Sequence, residues 1–133
     1  MMVGLGIELV EVSLYDTLLT SSDASELERH FTHGELEYCR TKRQGGEHLA
    51  ARQAAKVAAL KALGLMDMEQ RRFLEVVRAS GGQPSLLATG PLLELLAAEH
   101  IDRLHLSMSH SGGYAVAMVV AERRSRTQLE EAP

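Results

Sequence analysis

Two stretches of the chain alternate apolar residues with small or polar ones. In residues 2–10, Gly4, Gly6 and Glu8 alternate with four apolar residues. These apolar residues are Val3, Leu5, Ile7 and Leu9. A period of two predicts a β-strand with one apolar face, and Glu8 points away from that face.

The second alternating stretch, residues 104–109, begins a predicted hairpin. Gly112 and Gly113 form its turn, and residues 114–122 are largely apolar, which is typical of a buried strand. Both ends of the chain are therefore predicted to contribute strands.

A shorter hairpin is predicted before this one. Residues 73–79 and 84–88 have strand character and flank the turn residues 80–83. Gly90 and Pro91 then begin a predicted helix that ends near residue 100.

The strongest helical pattern covers residues 47–63, which are rich in Ala and Leu. Residues 44–46 form a predicted loop before it, and Gly64 is a typical C-terminal cap. Because apolar residues cover most of the helix circumference, we expect this helix to be buried.

Two short helices are predicted ahead of the long one. Residues 21–23 are cap residues before a charged helical turn that ends at Arg29. Thr32 and Glu35 match a capping box that opens a helix over residues 34–40. These helices and antiparallel strands together predict an α+β fold, with an antiparallel sheet and one long buried helix.

Length and composition indicate one soluble domain. The 133 residues suffice for a single core, predicted over residues 1–122, with a flexible tail at residues 123–133. Cys39 is the only cysteine, and no signal-like segment or run of about 18 apolar residues is visible, so a cytoplasmic protein that does not enter a membrane is expected. The net charge of −4 argues against general nucleic-acid binding.

Glu8 and Glu11 lie at the end of the first predicted strand. Carboxylate oxygens are ligands that Mg²⁺ prefers, so the two acids are candidates for a magnesium site beside a phosphate. Surface acids are common, and two solvated side chains are the alternative interpretation.

Five cations lie within twenty residues of an otherwise acidic protein. They are Lys42, Arg43, Arg52, Lys56 and Lys61. Lys61 follows Val57 by four residues and shares its helical face, and a lysine on a buried helix needs an anion such as a phosphate or carboxylate. The alternative is that its ammonium group reaches solvent at the helix end.

A polar segment occupies the strand before Gly112. His105, Ser107 and Ser109 share one face of that strand, and His110 lies at its end. Hydroxyl and imidazole groups together can bind a polar ligand, and either histidine can serve as a general base. A structural role for these histidines is the alternative.

Several motifs resemble those of one enzyme family. Residues 6–11, Gly-Ile-Glu-Leu-Val-Glu, resemble the opening Gly-Ile-Asp-x-Val-Glu, and Phe31-Thr-x-x-Glu-Leu is similar to Leu-Thr-x-x-Glu-Leu. Residues 49–64, Leu-Ala-x-Arg-x-Ala-Ala-Lys-x-Ala-x-x-Lys-Ala-Leu-Gly, match a long family motif except at two positions. The further matches are Gly82-x-Pro84, His105-x-Ser-x-Ser-His110 and Tyr114-Ala-x-Ala.

Over residues 3–122 the chain thus resembles the holo-acyl-carrier-protein synthases, which are 4′-phosphopantetheinyl transferases. The resemblance implies the fold of that family and a homotrimer with coenzyme A between neighbouring subunits. It also implies magnesium-dependent transfer of the 4′-phosphopantetheine arm of coenzyme A to a serine of an acyl carrier protein in fatty acid or polyketide biosynthesis.

The resemblance also assigns roles to individual residues. Lys61 and Glu8 would be catalytic, with Lys61 facing the diphosphate and Glu8 binding the metal. The nucleotide would be held by six residues. Arg52 with Lys42 or Arg43 would bind the ribose phosphate, and Pro84, His105 and His110 would surround the nucleotide.

The departures from the family pattern cluster at this presumed site. Val57 stands where the family has a metal-binding Glu, and an isopropyl group offers no ligand atom. Gln53 replaces an aromatic residue, Gln83 a basic one, and Leu14 lies where a basic residue usually faces the acidic carrier protein. The alternative function is therefore a repurposed trimer that binds a carrier protein, coenzyme A or a thioester-linked intermediate without transfer. A purely structural or regulatory subunit is a third hypothesis.

Overall fold

The computed structural model describes residues 1–78 and 81–124. Within them, a three-stranded antiparallel sheet packs one face against a long helix, and a separate two-stranded hairpin lies beside them. In chain order the elements are β1 (Met2–Glu11), α1 (Val12–Thr20), α2 (Ser25–His30), α3 (His33–Arg40), α4 (Gly45–Ala62), a 3-10 helix (Met68–Phe73), β2 (Leu74–Arg78), β3 (Pro84–Ala88), α5 (Gly90–Ala98), β4 (Ile101–Ser111) and β5 (Tyr114–Arg123). The predicted α+β class is confirmed.

The sheet joins the two ends of the described chain. β5 lies between β1 and β4 and pairs with both in antiparallel orientation. Both predicted hairpins are present, as β2 with β3 and β4 with β5. The capping box of Thr32 and Glu35 forms as predicted, since each side chain accepts a hydrogen bond from the other residue's backbone N–H.

The long helix α4 begins earlier than predicted. Gly45 and Gly46, expected in a loop, form its first turn. Gly46 is needed there because a Cβ atom at this position would lie only 1.8 Å from Oδ1 of Asp16 in α1. The two glycines therefore allow α1 to pack closely against the start of α4.

The buried face of β1 is its glycine face. A Cβ atom on Gly4 would lie 1.8 Å from the carbonyl oxygen of Ala62, and one on Gly6 would lie 1.9 Å from that of Ala58. The backbones of β1 and α4 are thus in direct contact. The apolar side chains at alternate positions, such as Ile7, consequently lie on the exposed side of the sheet.

The core lies between α4 and the inner face of the sheet. Ala54, Ala58 and Leu60 of α4 contribute to it with Ala117 and Val119 of β5, and all are buried. A second cluster joins the start of α4 to α1, α2 and α3. The predicted burial of the long helix is confirmed.

The last strand brings the C-terminal part of the described chain back to its start. β5 extends to Arg123, whose backbone N–H donates to the carbonyl oxygen of Met1 at 2.8 Å. Arg124 pairs with Asp102 at 3.2 Å. The remainder of the predicted tail, residues 125–133, lies outside the described residues. Among the described helices, none is long and apolar enough to cross a membrane.

Candidate functional site

The last turn of α4 carries a lysine that faces β1. The ammonium group of Lys61 lies 2.8 Å from Oε1 of Glu8 and also donates to the carbonyl oxygen of Ile7 at 3.2 Å. The two side chains are 49% and 29% exposed, so this ion pair contributes at most about 1 kcal/mol. Lys61 can therefore exchange the Glu8 carboxylate for another anion at little energetic expense.

This pairing follows from the contact between β1 and α4. The carbonyl oxygen of Ala58 lies against Gly6 and that of Ala62 against Gly4, so the two elements run in opposite directions. The end of α4 is thereby held beside the middle of β1. Val57 precedes Lys61 by one helical turn on the same side of α4 and is only 6% exposed.

The residues around Glu8 do not fit a magnesium ion held between two protein carboxylates. Val57 supplies no ligand atom, and Glu11 is three residues from Glu8 on β1, so the two acids project from opposite faces of the strand. Glu11 instead lines a separate cavity of about 450 Å³ with Asp16 and Glu47. Across residues 1–78 and 81–124, no group of three or more His, Cys, Asp or Glu side chains is placed to hold a metal ion. Glu8 and Glu11 therefore do not share one metal site within this chain.

The other end of α4 borders a cavity of about 290 Å³. Its walls come from α4, the β2–β3 hairpin and β4, and its lining residues are His48, Ala51, Arg52, Arg78, Pro84, Met108, Ser109 and His110. Three of the residues predicted to bind a nucleotide, Arg52, Pro84 and His110, thus lie in one place.

Arg52 is buried at the edge of this cavity with incomplete hydrogen bonding. It is 2% exposed, and Nη1 donates to the carbonyl oxygen of His48 at 3.1 Å. Its Nε–H, shielded from solvent, has no acceptor among the described residues. A buried N–H without a partner is costly, so Arg52 favours a ligand that brings an oxygen acceptor.

Tyr38 of α3 gathers three cations beside the cavity. The charged groups of Arg52, Lys42 and Arg78 lie 4.3, 4.7 and 5.9 Å from the centroid of its ring. Each distance allows a cation–π interaction. Because like charges converge there, the cavity has a positive potential that favours a phosphate ligand.

The positive environment affects the pKa of His48. Burial lowers the pKa of His48, and the nearby cations Arg52 and Arg78 lower it further. Its ring packs edge to face against His110, with centroids 6.3 Å apart, and Nδ1 of His110 lies 3.1 Å from Oε2 of Glu47. The cavity thus combines permanent cations with a histidine that favours the neutral form.

The three other predicted nucleotide-binding residues, Lys42, Arg43 and His105, do not line the cavity within this single chain. His105 is five residues from His110 on β4, roughly 17 Å along the strand, and projects from the opposite face. It pairs with Glu122, with 3.3 Å between Nε2 and Oε1. Arg43 is exposed in the turn before α4, next to Lys42.

Lys56, counted with the cations of α4, has a structural role. It is fully buried and pairs with the equally buried Glu35 of α3, and it donates to the carbonyl oxygen of His30 at 2.8 Å. Its charge is therefore satisfied inside the protein. Lys56 fixes the packing of α4, which leaves Arg52 and Lys61 as the cations of this helix that are available for a ligand.

Sequence reasoning did not single out three residues of the cavity region: Tyr38, His48 and Arg78. Tyr38 and His48 lie beside recognised motifs, but no spacing rule marks them as ligands. Arg78 reaches the cavity because the β2–β3 hairpin folds back beside α4. That placement is a tertiary contact without a local sequence signal.

No protein-family model matches the chain. Several individual proteins match it. The holo-[acyl-carrier-protein] synthase of Geotalea daltonii is 40% identical over 125 residues, which cover 92% of this chain and 100% of that protein. The enzyme of the same name from Geobacter sulfurreducens is 41% identical over 92% of this chain and 99% of its own length.

The chain belongs to the holo-[acyl-carrier-protein] synthase family. Solved structures of the family confirm the predicted fold. The Neisseria meningitidis holo-[acyl-carrier-protein] synthase matches with a TM-score of 0.82 at 28% identity, over 92% of this chain and 100% of that one. The Bacillus anthracis holo-(acyl-carrier-protein) synthase, solved in complex with CoA (3′,5′-ADP), matches with a TM-score of 0.74 at 32% identity, over 93% and 99% of the two chains.

Proposed function

We propose that this protein transfers the 4′-phosphopantetheine arm of coenzyme A to a serine of an acyl carrier protein. The observation that carries the proposal is the placement of Arg52 and Lys61 on one rigid helix. They are nine residues, or roughly 14 Å, apart along α4, with the cationic cavity beside Arg52 and a movable ammonium group at Lys61. Nine residues are about two and a half turns, so the two cations project from opposite sides of α4. An extended ligand with phosphates at two places, such as coenzyme A, would meet both kinds of group when it lies between neighbouring copies of the chain.

In the proposed complex, the cavity holds the nucleotide end of coenzyme A. Arg52 with Lys42 or Arg43 binds the ribose phosphate, and the unpaired Nε–H of Arg52 gains an acceptor. Pro84 and His110 border the nucleotide. Lys61 then contacts the diphosphate, where a fixed positive charge stabilises the charge that develops on the leaving group.

A homotrimer is proposed as the functional form. The outer face of the sheet is apolar, with Ile7 59% and Met118 44% exposed and paired directly across β1 and β5. Leu5 and Leu9 are also exposed and extend this apolar patch, and contiguous exposed apolar patches mark interaction surfaces. His105 projects from the same outer face, which supports its predicted role toward coenzyme A bound between neighbouring subunits.

The proposed partners are thus coenzyme A, an acyl carrier protein and further copies of the chain. The proposed location is the cytoplasm, where the buried free thiol of Cys39 is in a reducing environment. Fatty acid or polyketide biosynthesis is the proposed setting.

Mass spectrometry of a panel of apo-acyl carrier proteins tests the transfer. Each is incubated with this protein and coenzyme A, with and without Mg²⁺. The proposal expects a gain of one phosphopantetheine mass on at least one carrier, and the same carrier with its acceptor serine changed to alanine serves as the blank. Arg124→Ala, which removes an exposed ion pair with Asp102, is the matched cation control and should transfer normally.

Val57 favours a second candidate function. With an apolar residue beside Glu8, the chain can retain its cavity and yet lack transfer, as a trimer that binds coenzyme A or a carrier-bound intermediate. This function predicts saturable stabilisation by coenzyme A in thermal unfolding without any mass gain on a carrier. A mass gain on any carrier at catalytic amounts of protein excludes it.

A further inference from the structure

Resting on the proposed function, we propose that this protein transfers phosphopantetheine without a divalent cation. Lys61 supplies positive charge at the reacting phosphates, and Glu8 is the base that accepts the proton of the carrier serine. The 2.8 Å contact between these two side chains at the end of α4 is the geometric basis of the proposal.

The ligand chemistry beside Lys61 opposes a bound metal. Glu8 contributes one carboxylate, and its Oε1 already contacts an ammonium group that also donates to the carbonyl oxygen of Ile7. Val57, one turn earlier and buried, places methyl groups on the side where a second carboxylate would be required. A hard cation such as Mg²⁺ binds through oxygen atoms, and a site of one shared carboxylate and an apolar wall offers few of them.

The arrangement serves the reaction without a metal because its charge changes during the step. The serine oxygen forms a bond to the phosphorus that bears the pantetheine arm, and the bond from that phosphorus to the bridging oxygen breaks. The bridging oxygen keeps the electron pair and leaves with 3′,5′-ADP, while the serine proton passes to the Glu8 carboxylate. Glu8 thereby becomes neutral as Lys61 faces the leaving group, so one uncompensated positive charge is available when negative charge develops.

The variant Val57→Glu changes the charge beside Glu8 and provides the decisive comparison. A second carboxylate beside Glu8 adds negative charge near the phosphates and completes a pair of oxygen ligands. The variant should transfer at least about tenfold more slowly than the natural protein in excess chelator, a barrier change of about 1.4 kcal/mol, and should recover with Mg²⁺. Val57→Gln introduces a side chain of nearly the same shape as glutamate but without its charge. The transfer rate of this variant should not depend on Mg²⁺.

The experiment follows the rate of carrier modification by mass spectrometry, with chelator or with Mg²⁺, for the natural protein and both Val57 variants. The natural protein should show equal rates under the two conditions, within about twofold. Glu8→Gln, in a folded protein, should lower the rate by about 10²- to 10⁴-fold, as expected of a base but not of a residue that only packs.

Metal binding supplies a readout that does not depend on turnover. Electron paramagnetic resonance of Mn²⁺ is recorded with coenzyme A alone, then with added natural protein or Val57→Glu, without any carrier. The natural protein should leave the coenzyme A signal unchanged, and Val57→Glu should attenuate it. Circular dichroism confirms that each variant is folded.

The outcomes separate this inference from the proposed function. Transfer that requires Mg²⁺, together with Mn²⁺ binding that Glu8→Gln abolishes, overturns the metal-free step and leaves the transferase assignment intact. No transfer by the natural protein under either condition overturns the transferase assignment and the inference with it. Transfer in chelator that Glu8→Gln leaves unchanged overturns the role of Glu8 as the base.

Discussion

The ammonium nitrogen of Lys56 lies 2.5 Å from Oε1 of Glu35, and both side chains are completely shielded from solvent. Both side chains also make further hydrogen bonds. Oε2 of Glu35 accepts from the backbone N–H of Val76, and Nζ of Lys56 donates to the carbonyl oxygen of His30. The pair therefore joins α3, α4, β2 and the end of α2.

Removing one partner of this pair should strongly destabilise the fold. Burial lowers the pKa of Lys56, and the Glu35 carboxylate opposes that change. Glu35→Ala leaves the lysine buried without its counter-ion, so the free energy of unfolding should fall by about 3–5 kcal/mol. Urea denaturation followed by circular dichroism measures this change.

Glu37→Ala is the matched control, because Glu37 is an exposed carboxylate on the same helix. Its effect should stay within about 0.5 kcal/mol. Equal effects of the two substitutions would contradict the structural role of the buried pair.

The contact between β1 and α4 makes a second prediction about stability. An alanine at position 6 would place its Cβ atom against the carbonyl oxygen of Ala58. This oxygen belongs to the helix backbone and cannot move away by a rotamer change. Gly6→Ala should therefore lower the free energy of unfolding by about 3 kcal/mol or more. The midpoint of thermal unfolding should fall markedly as a result. Gly81→Ala, where a Cβ atom would meet open space, should cause almost no change. Soluble, equally stable Gly6→Ala protein would contradict the close packing.

Local sequence signals predicted the elements well where the determining interaction is itself local. The capping box depends on Thr32 and Glu35, which are three residues apart, and Gly64 ends the long helical segment with a φ of +70°. In both cases the residues that decide the conformation are neighbours in the chain.

The side of β1 that is buried could not be predicted from its pattern. Alternation distinguishes two faces of a strand, and the apolar face usually packs inward, but Gly4 and Gly6 are buried because a helix backbone contacts them. Similarly, Gly45 and Gly46 resemble loop residues until α1 is placed against them. These choices depend on which segments meet in three dimensions.

The candidate site was predictable only in part for the same reason. Arg52, Pro84 and His110 belong to recognisable motifs and do line one cavity. Arg78 carries no local signal, since it reaches the cavity through the hairpin, and the contact between Lys61 and Glu8 spans 53 positions of the chain. The location of His105 on the outer sheet face also required the strand register.

The acid dependence of ligand binding follows from His48. Burial and the surrounding groups Arg52, Arg78, His110 and Lys42 hold its pKa below the usual 6.5. In the folded protein without ligand, His48 thus contributes stability at pH above 6.5 that is lost as the pH falls toward its lower folded value. A phosphate in the cavity favours the imidazolium form and raises this pKa, so binding of 3′,5′-ADP should strengthen as the pH is lowered.

Two measurements examine this prediction. Imidazole proton resonances give the pKa of His48 with and without 3′,5′-ADP, and His48→Gln assigns the signal. Calorimetry at several pH values should show proton uptake on binding that the His48→Gln variant lacks. An unchanged His48 pKa on addition of 3′,5′-ADP would place the phosphate elsewhere.

The exposed apolar face of the sheet predicts the behaviour of a surface variant. Ile7 lies at the centre of this face, directly across from Met118. Ile7→Asp puts a charge where the proposed trimer buries apolar side chains, so it should dissociate the assembly. Light scattering after size-exclusion chromatography should show a change from three chain masses to one. Met66→Asp changes an equally apolar but 91% exposed residue away from the sheet, and it should leave the assembly intact.

The two cationic regions along α4 should affect different kinetic constants. Lys61 is placed to face the leaving group, so Lys61→Ala should lower kcat by about 10²- to 10³-fold with little change in KM for coenzyme A. Arg78 is an exposed member of the distant cavity, and Arg78→Ala should mainly raise KM. Steady-state rates over a range of coenzyme A concentrations separate the two effects. The two groups act at opposite ends of the substrate, so the losses in kcat/KM of the single variants should add in free energy in the double variant. A strongly non-additive result would mean that both residues contact the same phosphate.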